Sequence, residues 1–158
     1  MIDVIIPAHK KDIETIDFCV KYAKEIIGKH WRTCWYYQQI LKMCVFEVRK
    51  DISDSILVLD SDTIFINKTD FISEQSGPGT VGFFNVGKEF YAPYFEHMER
   101  LLPGLTRQIH EHSGITHHMI FQRDIMRQLF DEVENIHGCS FWKAFLDCTV
   151  HDYSTITG

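Results

Sequence analysis

The run Ile56-Leu57-Val58-Leu59-Asp60-Ser61-Asp62-Thr63-Ile64-Phe65-Ile66 narrows the folds open to this chain more than any other. Four apolar residues lead straight into two carboxylates one residue apart, and a second apolar run follows. The first run predicts a strand buried on both faces. Such a strand ends at the carboxyl edge of its sheet, where ligands bind in α/β folds. Two carboxylates placed there repel each other and resist desolvation unless a cation lies between them. Hard oxygen ligands of this kind suit Mg²⁺ or Mn²⁺, which keep coordination positions open for substrate phosphates. Asp-Ser-Asp is also good turn chemistry, and in a bare loop the pattern carries little. Framed by a buried strand before it and an apolar strand at Ile64–Ile66 after it, the pattern points to Asp60 and Asp62 as metal ligands.

The 158 residues suffice for one domain with a core, and 45% hydrophobic with 24% charged residues is an ordinary globular balance. A net charge of -6 argues against a broad nucleic-acid surface. No apolar run approaches the ~20 residues that span a bilayer. The start, Met1-Ile2-Asp3-Val4, has neither a basic region nor an apolar core of a signal peptide. Cys19, Cys34, Cys44, Cys139 and Cys148 lack paired spacing, so reduced thiols in a cytoplasmic, intracellular protein are expected.

Ile2 to Pro7 predicts an N-terminal strand that Pro7 closes. Asp12 then caps a helix with Ile13, Ile16, Val20, Ala23 and Ile27 on one face and Gly28 at its stop. Trp31 to Val48 predicts a second helix with Tyr37, Leu41, Cys44 and Val48 as its buried stripe. Strands are expected at Val81–Phe84 and His118–Phe121. Helices are expected in Phe90–Leu102, over Asp124–Glu134 with Ile125, Leu129 and Val133 inward, and over Phe141–Cys148. The order predicts an α/β fold, a three-layer sandwich with a mainly parallel central sheet. Ile2–Pro7 and Ile56–Leu59 should be neighbouring strands at its centre. The strand normally found between the first two helices is missing, and no closing element is evident near Gly158. A single shortened domain over 1–158, incomplete at its C-terminus, is the expectation.

These segments resemble, in their order, the GT-A-fold glycosyltransferases. The resemblance rests on Ile2–Pro7 with Ala8-His9-Lys10, on Trp35-Tyr36-Tyr37-Gln38-Gln39-Ile40-Leu41-Lys42, and on Leu57-Val58-Leu59-Asp60-Ser61-Asp62-Thr63. Gly114-Ile115-Thr116-His117-His118-Met119-Ile120-Phe121 and Phe141-Trp142-Lys143-Ala144-Phe145-Leu146 extend it over most of the chain. It is similar in particular to small glycosyltransferase domains of bacteria and large DNA viruses, including those infecting algae. The resemblance implies Pro7, Ala8 and His9 around a nucleotide base. It places Asp60 and Ser61 near the ribose-diphosphate, and Asp60 and Asp62 on Mn²⁺ or Mg²⁺. The implied donor is a uridine or other nucleoside-diphosphate sugar, and the implied acceptor a glycan or other hydroxyl compound receiving a hexosyl or deoxyhexosyl group. No membrane span and no nucleic-acid partner are expected.

Gln38, Gln39 and Lys42 can face the site from the helix before the metal strand, with Lys42 pairing with a diphosphate as a point charge; all three also suit a solvated helix face. Trp35 and Tyr36 suit either stacking on a base or sugar or the core, with the core favoured. His117 and His118 are candidates for the reaction centre, bordering acceptor or phosphate. On a strand they point to opposite faces, so only one can face the cleft. For a general base, Glu111 and Asp152 are the least poor carboxylates. Two alternatives stand beside the glycosyltransferase. One is a metal-dependent phosphohydrolase or nucleotidyltransferase. The other is a non-catalytic nucleotide-sugar-binding domain.

Overall fold

The computed structural model describes residues 3–5, 33–60, 63–74 and 80–150. Pro7, Ala8, His9, Ser61, Asp62 and Asp152, like the expected helix from Asp12 to Gly28, lie outside the described residues. In chain order the elements are β1 (Asp3–Ile5), α1 (Thr33–Met43), α2 (Val45–Val48), β2 (Ser55–Leu59), β3 (Ile72–Glu74) and β4 (Thr80–Gly82). They continue with α3 (Ala92–Leu101), β5 (His118–Gln122), α4 (Arg123–His137) and α5 (Phe141–Asp147).

The expected three-layer sandwich with a mainly parallel sheet is overturned. The described strands form a three-stranded mixed sheet in the order β1-β2-β5 and a separate two-stranded pair, β3-β4. β1 and β2 run parallel, with Val4 opposite Leu57, but β2 and β5 are antiparallel, with Leu57 opposite Ile120. β3 and β4 are antiparallel as well. The cause lies in the connections. A parallel neighbour needs a crossover that carries the chain back along the sheet, usually through a helix packed on it. The stretch between β2 and β5 holds α3, and α3 is tied to α4 and α5 rather than returning the chain to the start of β2.

β2 earns its central place by its pattern. Ile56, Leu57, Val58 and Leu59 are all buried. Ile56 and Val58 share one face and pack with Val45 and Phe46 of α2, Phe121 of β5 and Met126 of α4. Arg123 fixes the entry to the strand. Its Nε donates to Asp54 Oδ1 at 2.7 Å, a terminal nitrogen donates to the Ile52 carbonyl at 2.7 Å, and its guanidinium lies 4.6 Å from the Phe46 ring centre.

The apolar run after the Asp-Ser-Asp is not the strand its composition predicts. Residues 64–66 pair with no strand among the described residues; Ile64 is 84% exposed and Ile66 89%. The expected helix over Trp31–Val48 is divided at Cys44 into α1 and α2. Its deepest residue is Ile40, packed on Leu146, while Tyr37, Leu41, Cys44 and Val48 are only half-buried. In α4 the inward stripe is Met126, Leu129, Phe130 and Val133, and Ile125 is exposed. A stripe at 3.6 residues per turn drifts, so a strict four-residue spacing misplaces its first member.

The C-terminal half is the best-packed part. Val133, Phe141 and Ala144 join Leu101 in one buried cluster, and the Phe130 and Phe141 rings stack at 4.0 Å. Gly138, at φ 63°, closes α4 in the left-handed region where glycine is favoured, and its N–H donates to the Glu134 carbonyl. Glu134 Oε1 in turn accepts the Phe141 N–H at 2.8 Å, which starts α5. His97 and Arg100 of α3 bond the Phe145 and Cys148 carbonyls, each at 2.8 Å, and so fasten α3 to the end of α5.

Candidate functional site

Asp60 follows directly on the last residue of β2, and its N–H donates to the His117 carbonyl at 2.9 Å, continuing the pairing with β5 by one step. The carboxylate is therefore carried to the sheet end by a strand buried on both sides. Lys42, in the last turn of α1, donates from Nζ to Asp60 Oδ1 at 2.5 Å. His117 Nδ1 lies 3.3 Å from Asp60 Oδ2. A carboxylate only accepts, so Nδ1 carries the hydrogen and Nε2 is left with the lone pair in the neutral ring. Burial pushes the Asp60 carboxyl up, but the Lys42 ammonium and then His117 outweigh it and hold the group below the usual carboxylate range. Asp60 is thus a carboxylate at neutral pH, held by one cation on one oxygen and an imidazole on the other.

The two adjacent histidines separate. The His117 side chain is 76% exposed beside Asp60. His118, the first residue of β5, packs edge-on against Phe65 at 5.4 Å and Phe71 at 5.7 Å. Gln38 is half-buried on α1, four residues before Lys42 and so on a neighbouring turn of the same face. No described contact takes Gln38 to Asp60. Glu111 is exposed in the loop before β5, apart from this centre in every described bond.

Among the described residues no group of three or more His, Cys, Asp or Glu is gathered to hold a metal ion. The donor chemistry at Asp60 nonetheless fits Mg²⁺ or Mn²⁺. Such ions are held by one or two carboxylates with substrate phosphates and water, and Asp60 offers a charged, partly exposed carboxylate at a strand end. Lys42 occupies Oδ1, and a cation held by Asp60 would compete with its ammonium.

A second concave region escaped the sequence reading. α1, α3 and the chain after α5 enclose a cavity of about 690 Å³, lined by Trp35, Tyr36 and Gln39 on one side and Tyr94, His97 and Arg100 on another. Trp35 and Tyr94 stack at 5.4 Å with an 11° interplanar angle. Trp35 and Tyr36 are half-buried lining residues, a place between the two roles weighed for them. Burial pushes the His97 imidazole below its ordinary value, so the ring is neutral, and its Nε2 hydrogen goes to the Phe145 carbonyl. The available signal was the spacing Pro93, His97, Arg100, which puts three residues on one helical face.

No family model matches the chain, and no curated protein or solved structure matches it.

Proposed function

We propose that the chain is a metal-dependent glycosyltransferase, moving a sugar from a nucleoside-diphosphate donor to a hydroxyl acceptor, with the donor diphosphate at Asp60. The observation that carries this reading is the Lys42–Asp60–His117 centre at the end of a buried strand whose neighbour β1 runs parallel to it. The Asp60 side chain, 31% exposed at the strand end, is within reach of a ligand. Asp60 and Asp62 are the proposed metal ligands, and Mn²⁺ or Mg²⁺ the proposed ion. When bound, the ion supplies Lewis-acid stabilisation of the charge on the departing diphosphate. Lys42, released from Asp60 Oδ1, then turns its ammonium to a phosphate oxygen, as a flexible point charge can. His117 keeps its Nδ1 hydrogen on Asp60 and presents Nε2 to the acceptor or phosphate side.

The test is titration calorimetry of UDP with and without Mn²⁺, on the unmodified chain and on Asp60→Asn and Lys42→Met. Binding that needs Mn²⁺, and that either change weakens by about tenfold or more, supports the reading. Metal-independent binding, or no effect of Asp60→Asn, overturns it. One observation favours a second reading. An imidazole oriented by a carboxylate also suits attack on phosphorus, as in a phosphohydrolase. Release of phosphate from p-nitrophenyl phosphate, lost in His117→Ala, would select that alternative.

A further inference from the structure

The cavity beside α1 has the size, the walls and the polar groups of a small-molecule site. Its volume of about 690 Å³ lies within the roughly 300–1,000 Å³ usual for such sites. Its aromatic wall is continuous. Trp35 meets Tyr36 edge-on at 5.1 Å and stacks on Tyr94, which meets Tyr91 edge-on at 4.8 Å. Aromatic faces carry partial negative charge and attract polarised C–H groups and flat apolar surfaces.

The polar lining decides which flat ligand suits. Gln39 and Glu96 line the cavity and make no hydrogen bond among the described residues. An amide both donates and accepts, and a carboxylate only accepts. Arg100 uses Nε on the Cys148 carbonyl, and its other N–H groups meet no acceptor among the described residues. His97 carries its hydrogen on Nε2 and its lone pair on Nδ1. This mixture of donors and acceptors matches hydroxyl groups, each of which does both. Glu96 and Arg100 offset one another in charge, so the wall carries no excess positive charge of the kind a diphosphate needs.

The cavity and the Asp60 centre share one helix. Gln39 lines the cavity, and Lys42, which holds Asp60, stands three residues on along the same helix. Residues so spaced are surface neighbours, about 5–6 Å apart at Cβ.

We propose that this cavity binds a pyranose ring, stacked on the Trp35–Tyr94 wall with its hydroxyls on Gln39, Glu96 and Arg100. Resting on the transfer reading above, that sugar is the acceptor. The ring's C–H face meets the aromatic wall, and its equatorial hydroxyls reach the polar side chains.

Saturation-transfer NMR on the full chain tests this with a panel of methyl pyranosides, and with UDP and Mg²⁺ as a separate ligand. At least one methyl pyranoside is expected to bind saturably. Tyr94→Ala should weaken it by about tenfold, the weight of one good aromatic contact. Gln39→Ala and Glu96→Gln touch no described core contact and guard against a Tyr94 variant that fails to fold. Each should weaken binding by about fivefold, one hydrogen bond's worth. No binding by any pyranoside, or binding untouched by all three changes, overturns the proposal. Displacement of the sugar by uridine also overturns it, since the cavity would then hold the donor's base. Pyranoside binding without UDP binding supports the sugar site and sinks the transfer reading; UDP binding without pyranoside binding does the reverse.

Discussion

Two apolar runs flank Asp60, and they have opposite fates. Upstream, Ile56 is 0% and Val58 4% exposed; downstream, Ile64 is 84% and Ile66 89% exposed. Their side chains are of the same kind, so hydrophobicity does not separate them. Neighbours do. β2 has β1 along one edge, β5 along the other, and α2 and α4 against one face. Residues 64–66 have no strand partner among the described residues, and only Phe65 leans inward, onto Phe71 and His118. Asp60 stands at the boundary between the two regimes, which is why one residue can be both rigidly carried and open to solvent. An apolar run allows burial; the topology decides whether burial occurs.

The sharpest way to break this comparison is to truncate the buried run. Ile56→Ala removes a fully buried side chain from the packed cluster around β2. It should cost about 2–5 kcal/mol in urea unfolding. A cost below about 1 kcal/mol would mean that β2 is not the packed centre of the sheet.

The adjacent histidines repeat the contrast on a smaller scale. His118→Ala removes ring contacts to Phe65 and Phe71 and should destabilise by about 1 kcal/mol, without weakening the proposed Mn²⁺-dependent UDP binding. His117→Ala should leave the unfolding midpoint almost unchanged, because its ring is largely exposed, and should weaken UDP binding by about fivefold. The reverse pattern in the two assays would exchange their roles.

Much of this arrangement was legible in the sequence, and the rest was not for definite reasons. Local pattern located β2, β5, α4 and α5 to within a few residues, because apolar periodicity acts over short distances. It also put Asp60 at a strand end. Sheet direction was not legible. Parallel or antiparallel pairing of β2 with β5 depends on where the chain travels over more than fifty residues, and short-range pattern is silent on that. The contact between His117 and Asp60 is equally non-local. Lys42 stands out in the sequence for its charge, but its ion pair with Asp60, eighteen residues away, is not legible there. His97 went unnoticed because a lone histidine on an aromatic helix resembles core, and only the cavity beside it gives it another meaning.

Acid should sharpen the electrostatic side of the comparison. The Asp60 carboxyl is held below its ordinary value, so folding favours its charged form. That contribution is present above the unfolded value of 3.8 and disappears as pH falls through the lower folded value. Lys42→Met removes the main opposing charge, so the Asp60 carboxyl should titrate at higher pH in carbon-detected NMR. An unmoved titration would show that the ion pair does not persist in solution.

The smallest effect is expected where the apolar side chain is most exposed. Ile66→Ser exchanges a residue that already faces water, and Ile64→Ser does the same two positions earlier. Neither loses a packed contact, so each should change stability by no more than about 0.5 kcal/mol. Serine also removes exposed apolar surface, which lowers the tendency of neighbouring copies to associate. Measured by urea unfolding beside Ile56→Ala, the pair gives the comparison its full range, from several kcal/mol to almost none within eleven residues of chain. A loss of about 2 kcal/mol or more at Ile66 would mean that the downstream run is packed in solution. Asp60 would then end one buried segment and begin another, and its openness to a ligand would need a different cause.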